Sequence, residues 1–167
     1  NAKSKILIYY NKNNELKPDS PDLVLADAKG AAGGIVHDLD GDGRPDLIVP
    51  SVRMSALSYI GLFVNREVTV SFAFHLMGQD GRLAEKPRLE KELKFAIDLQ
   101  EGDIVGTLPR LNGDFDGNGR KDAVFATNKD RLTVVLQGSG EIFPSSRSYT
   151  IEVPVSKEMI VDDLEGD

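Results

Sequence analysis

The chain has 167 residues, 40% of them hydrophobic, no cysteine and a formal net charge of −7. This length suits one domain with a sizeable core, and zero cysteines excludes disulfides, thiolate zinc sites and cysteine nucleophiles. The acidic balance argues against a nucleic-acid or anionic-membrane partner, since no basic excess is present to neutralise phosphates, and no apolar run approaches the roughly 20 residues of a membrane-spanning helix.

Taken in chain order, Ile6 to Tyr10 reads as a strand, followed by the turn Asn13-Asn14-Glu15-Leu16-Lys17-Pro18 and a second strand. Asp38-Leu39-Asp40-Gly41-Asp42-Gly43-Arg44-Pro45-Asp46 comes next, ahead of the short apolar run Leu47-Ile48-Val49, which reads as a buried strand. Arg53 to Arg66 is an apolar insertion with Met54, Leu57, Tyr59, Ile60, Leu62 and Phe63. It is expected to pack inside the molecule, the alternative being contact with a partner. Val68 to Phe74 is a strand, and Asp80-Gly81-Arg82-Leu83, running to Pro87, is a turn. Leu93, Phe95, Ile97 and Leu99 then alternate with Lys94, Ala96 and Asp98. Leu89, Leu93 and Ala96/Ile97 also fall at helical spacing, but strand is preferred because the matching slot further on carries β-branched residues and Pro154.

A near copy of the first acidic stretch, Asp114-Phe115-Asp116-Gly117-Asn118-Gly119-Arg120-Lys121-Asp122, returns 76 positions after the first, again followed by an apolar run, Ala123-Val124-Phe125. Leu132 to Leu136 reads as a strand, Ser139-Gly140-Glu141-Ile142-Phe143-Pro144 as a turn, and Tyr149, Ile151, Val153 and Val155 as an alternating second strand. A partial third copy, Asp163-Leu164-Glu165-Gly166-Asp167, starts 49 positions after the second. It lacks a closing carboxylate, so Asp163, Glu165 and Asp167 are expected to hold a metal poorly.

The two full nonapeptides set oxygen side chains at positions 1, 3, 5 and 9 and Gly at positions 4 and 6. Ca2+ takes six to eight oxygen ligands at about 2.3 to 2.6 Å. A backbone curled around an ion supplies them from Asp38, Asp40, Asp42, the Arg44 carbonyl and Asp46, and again from Asp114, Asp116, Asn118, the Arg120 carbonyl and Asp122. Gly43 and Gly119 allow the sharp turn at position 6. Carboxylates about 4 Å apart repel by roughly 1 kcal/mol per pair in water and several-fold more when partly buried. A divalent cation converts that repulsion into attraction. With three Asp and one Asn against four Asp, the second loop is expected to bind more weakly. An EF-hand is set aside, since position 12 is Val49 or Phe125 in place of a bidentate Glu.

The three acidic stretches hold ten acids (four, three and three) against three bases, which is the whole charge of −7; 17 acids and 17 bases remain elsewhere. Two Ca2+ would bring the chain to −3. Calcium at millimolar levels outside cells suits such sites, and the expected location is extracellular, periplasmic or at the cell surface. No charged n-region with an apolar h-region opens the chain, so a signal is expected to have been removed or to lie upstream.

The acidic loops, the apolar strands and the turn ending in Pro recur together, giving four short strands per unit, the pattern of a propeller blade. Asp38 to Val49 and Asp114 to Phe125 resemble the FG-GAP/VCBS repeat family, the calcium-loop blades of integrin α-subunit-like β-propellers and bacterial surface proteins. The resemblance runs from about Lys5 to Asp167 and implies a Ca2+ loop within each blade. The FG-GAP dipeptide is absent and the first unit is long, so the VCBS variety fits better. The expected fold is all-β: about two and a half four-stranded propeller blades, a fragment of a larger propeller. Counted from the loops, the units are 1–37 (end of a preceding blade), 38–113, 114–162 and 163–167 (a truncated third loop). Uncovered ends expose strand edges, so the chain is expected either to self-associate through them or to form an open, twisted array.

Other sites are weaker. His37 stands where the second loop has Gly113, and His75 ends an alternating strand, so neither reads as a repeated ligand. Gly138-Ser139-Gly140 is a turn without a GxSxG elbow, and Asn118-Gly119-Arg120 reads as part of a metal loop before an adhesion tripeptide. The functional expectation is a non-catalytic calcium-binding propeller scaffold with a protein or carbohydrate ligand. Two alternatives stand beside it: non-catalytic blades of a larger polysaccharide-active enzyme whose active residues lie in other blades, signalled by a pocket with two carboxylates outside the Asp loops, and a lectin-like module, signalled by an exposed aromatic platform on Tyr9, Tyr10 or Tyr59.

Overall fold

The computed structural model describes residues 5–11, 17–25, 31, 33–52, 58 and 60–156. They form an all-β structure with eleven strands: β1 (Ile6–Ile8), β2 (Leu23–Leu25), β3 (Ile35–His37), β4 (Asp46–Val52), β5 (Glu67–His75), β6 (Leu89–Asp98), β7 (Asp103–Val105), β8 (Thr107–Gly113), β9 (Asp122–Ala126), β10 (Arg131–Val135) and β11 (Ser148–Glu152). Every pairing is antiparallel, in three blade-like sheets ordered β1-β2, β3-β4-β5-β6-β7 and β8-β9-β10-β11. The two larger sheets each begin one strand ahead of their acidic loop. Each loop therefore joins the first and second strands of its sheet, and the repeat counted from the loops runs one strand out of step with the sheets.

Alternation explains the layering. Along β4, Leu47 and Val49 face a small cluster with Leu25 and Leu83, against which Ile6, Ile8 and Leu23 of the first sheet pack. Ile48 points the other way, into the main core. The five-stranded sheet is thus a middle layer, which is why β4 is buried from Asp46 to Pro50 and carries an unbroken apolar run. The main core joins Ile48, Val70, Phe72, Phe74 and Phe95 of that sheet to Leu111, Ala123, Phe125 and Val135 of the four-stranded one. Phe74 meets Phe143 in a tilted contact with ring centroids 5.0 Å apart, and Phe72 lies 6.5 Å from Phe95.

The stretch with two periodicities is strand β6, not helix. Leu89, Leu93 and Phe95 pair with Phe74, Val70 and Val68 of β5, and their burial alternates along the strand. Pairing with β5 from Leu89 to Ala96, and with β7 from Ala96 to Asp98, holds the backbone extended, so the helical spacing has no neighbour to act on.

Among the described residues of the apolar insertion, most depart from the expected inward packing. Met54, Leu57 and Tyr59 lie outside the described residues. Gly61–Asn65 forms a π-helical turn closed by Arg66 in the left-handed region, φ 55°. Leu62 is half-buried, but Ile60, Phe63 and Val64 are 58%, 68% and 74% exposed. A single turn presents side chains all round its axis, and only one side of it can meet β5.

Candidate metal centres

The first loop leaves β3 at His37 and enters β4 at Asp46; the second leaves β8 at Gly113 and enters β9 at Asp122. In the first, Asp38, Asp40 and Asp42 each bring a carboxylate oxygen to within 4.8 Å of the other two. In the second, Asp114, Asp116 and Asp122 do the same. Each group could hold a metal ion. Positions 4 and 6 carry positive φ in both loops: 75° and 82° at Gly41 and Gly43, 69° and 82° at Gly117 and Gly119. A Cβ resists this conformation.

The loops share their main bonds. At position 1, Asp38 accepts the amides of Gly41 (2.8 Å), Asp42 (3.2 Å) and Gly43 (2.9 Å), and Asp114 accepts those of Asn118 (3.0 Å) and Gly119. At position 5, Asp42 and Asn118 each accept the amide of position 7, at 2.8 and 2.9 Å. These local bonds wind the backbone tightly and gather the carboxylates on one side, where each oxygen keeps lone-pair capacity for a cation.

Position 9 does more than close the loop. Asp46 is 1% exposed and Asp122 fully buried. Each accepts the amide of position 2 with one oxygen, Leu39 at 2.8 Å and Phe115 at 2.7 Å. With the other oxygen each accepts an amide two residues past the third strand of its sheet, Met77 at 2.7 Å and Gln137 at 2.6 Å. These aspartates strap loop to hairpin. Asp46 is outside the first close-set group of three, whereas Asp122 belongs to the second.

Burial, the largest influence, pushes the carboxyls of Asp46 and Asp122 above their ordinary range. Asp40 and Asp42 add to this for Asp46, and Asp116 and Asp114 for Asp122, while the strapping amides oppose it. Asp114 goes the other way. Burial acts to raise it, but the amides of Gly119, Asn118 and Gly117 and a bond from Asp116 outweigh that and hold it below the usual range. His37, beside Asp38, is lowered by burial and by Lys121, with Asp38 opposing.

Three arginines join the loops in ways that residue spacing does not encode. Arg44 pairs its guanidinium with Asp42, and Arg147 pairs with Asp116 while donating to the Gln137 carbonyl at 3.1 Å. Arg120 sends its guanidinium to the Asp40 carbonyl in the other loop. Gln137 was also missed: it is 1% exposed, its Oε1 accepts the Phe143 amide at 3.0 Å and its carbonyl accepts Asn118 Nδ2 at 2.7 Å. Only the +2 offset from the end of β10, shared with Met77 after β5, could have signalled it.

No family model, curated protein or solved structure matches this chain. The site therefore rests on its own geometry: two acidic groups, each able to hold a metal ion, at equivalent places in two sheets. Asp163, Glu165 and Asp167 lie outside the described residues. His75 is buried at the end of β5 with Nδ1 2.8 Å from the Ala84 carbonyl, a structural position.

Proposed function

We propose that the chain is a calcium-stabilised β-propeller scaffold of the FG-GAP/VCBS kind, non-catalytic, from a secreted or cell-surface protein, with a protein or carbohydrate ligand. One observation carries the reading: two loops of the same pattern, 76 positions apart, make the same hydrogen bonds at positions 1, 5 and 9 and gather carboxylates in both sheets. Chance acidic turns have no reason to agree in this way.

Calcium is favoured over magnesium by the donor set. Carboxylates on a wound loop, with the Arg44 and Arg120 carbonyls at position 7, suit an irregular shell of six to eight oxygens; Mg2+ demands a near-ideal octahedron and keeps its waters. The ion would hold the ligating side chains and backbone of each connection in one arrangement. At free calcium a hundred times Kd, one site adds about 2.7 kcal/mol to stability. The extracellular setting follows from the calcium available there.

Calorimetric titration with Ca2+ and with Mg2+ tests this. Two calcium sites with weak or no magnesium heat are expected; no calcium heat, together with equal melting in calcium and chelator, would overturn it.

The enzyme alternative gains one observation. A cleft of about 560 Å3 between the end of β6 and residues 128–130 holds Asp98 and Asp130, with Arg66 and Lys129. Asp98 caps the following turn by accepting the amides of Gln100 (2.8 Å) and Glu101 (3.2 Å). Binding of a polysaccharide that is lost in Asp130→Asn would favour that reading. For the lectin alternative, Tyr9 and Tyr10 are half-buried, with hydroxyls bonded to the Pro18 carbonyl and the Leu83 amide, and form no open platform; Tyr59 lies outside the described residues.

A further inference from the structure

Arg120 belongs to both acidic loops at once. Its backbone is position 7 of the second, where its amide donates to Asn118 Oδ1 at 2.9 Å. Its side chain leaves that loop, crosses to the five-stranded sheet and donates from Nη1 to the backbone carbonyl of Asp40, 80 positions earlier. The guanidinium also covers Gly41: a Cβ there would stand 2.8 Å from Arg120 Cζ and 2.9 Å from Nη1. Asp40 and Gly41 are positions 3 and 4 of the first loop, and the Asp40 carboxylate is one of its three gathered acids.

We propose that Arg120 couples the two cation loops, so that an ion in the second raises the affinity of the first. This rests on the calcium reading above. Closing the second loop on an ion immobilises the backbone from Asn118 to Arg120 and so restricts the base of the Arg120 side chain. The guanidinium in turn holds the 40–41 peptide of the first loop in place. A loop already partly ordered loses less conformational entropy when its own ion arrives, which is positive cooperativity. The positive charge of Arg120 is the same whether the second loop is filled or not. It weakens the first site in absolute terms but cancels from the coupling. Repulsion between the two ions opposes the effect and is screened beyond about 8 Å at physiological salt. Linkage makes the effect mutual: the first ion raises the second site's affinity by the same factor.

The test is a cycle of calcium titrations by calorimetry on the parent chain, Asp116→Ala, Arg120→Ala and the double variant, each checked for folding by circular dichroism in chelator. Asp116→Ala disables the second loop. The quantity read is the first-loop affinity with the second loop intact divided by that with it disabled. In the parent this ratio is expected to be about fivefold or more, within the usual range of allosteric coupling; in the Arg120→Ala background it should fall to about one. Should Arg120→Ala not fold, Arg120→Met keeps the aliphatic stem but removes the guanidinium donor and should collapse the ratio equally. A ratio of one in the parent, a ratio below one, or a ratio that survives both substitutions would each overturn the coupling while leaving two calcium sites standing. Absence of calcium heat from every variant would overturn the calcium reading and the coupling with it.

Discussion

Asp122 and Asp116 separate the two things a carboxylate does in these loops. Asp122 is fully buried, and Asp122→Ala strips the acceptor from the amides of Phe115 and Gln137, bonded at 2.7 and 2.6 Å. Each orphaned buried amide costs about 1 to 3 kcal/mol. Removing a carboxylate whose pKa is pushed up by burial, and then by Asp116 and Asp114, returns part of that. A net loss of about 2 to 4 kcal/mol is therefore expected in chelator. In calcium the lost ligation adds about 2.7 kcal/mol at a hundredfold excess over Kd. The Asp116 side chain instead keeps 20% of its surface in water and pairs with Arg147, itself 37% exposed, a part-exposed interaction worth about 1 kcal/mol. Asp116→Ala should leave chelator stability nearly unchanged and lose about 2.7 kcal/mol in calcium. For a chain of this size that is a fall of about 5 to 11 °C in melting temperature. Urea unfolding followed by circular dichroism, with calcium and with chelator, reads all four values. Equal losses for Asp116→Ala in both buffers would refute ligation, and an unaffected Asp122→Ala in chelator would refute the strap.

The pH response of the calcium-free chain has a worked sign. Asp46 and Asp122 have folded-state values above the unfolded one, so the folded chain takes those protons first, and stability is recovered as pH falls through their raised values. Asp114 is depressed, so its contribution is lost only at lower pH, as its folded value is passed. Urea midpoints in chelator should rise on mild acidification and then drop; a steady fall from neutral pH would contradict this. With calcium bound, acidification should destabilise throughout, because protons compete for the ligands. Gly119→Ala places a Cβ at φ 82° and should cost about 1 to 2 kcal/mol, with weaker calcium binding at the second site only; an unchanged calorimetric trace would exclude a tight turn there. Phe95→Ala empties a fully buried position in the core between the sheets and should lose about 3 to 5 kcal/mol by urea unfolding. Its calcium increment should stay that of the parent, and a lost increment would mean that the core sets the loops.

What was legible in the sequence was local. Alternating aspartates with glycines at positions 4 and 6 encode a tight, oxygen-lined turn within nine residues, and the glycines do carry the positive φ that such a turn requires. Val68 to Phe74 and Leu93 to Phe95 announce a hairpin through period-2 alternation, and β5 pairs with β6. The helical spacing from Leu89 to Ile97 was a true ambiguity in one dimension, resolved once β5 paired along the strand.

Contacts across long separations were another matter. The straps span 31 residues from Asp46 to Met77 and 15 from Asp122 to Gln137, because the insertion between β4 and β5 lengthens one unit and not the other, so no fixed spacing marks them. Arg120 meets Asp40 only because the sheets pack through Ile48, Phe74 and Phe125, and the outward turn of Phe63 and Val64 depended on which side of a single turn met β5. The chain by itself determined where oxygen atoms gather, since those atoms are neighbours along the backbone and a few glycine dihedrals bring them together. Only the tertiary structure decided which amides, guanidinium groups and apolar faces complete each loop, since these arrive from strands that packing, and not proximity in sequence, places beside it.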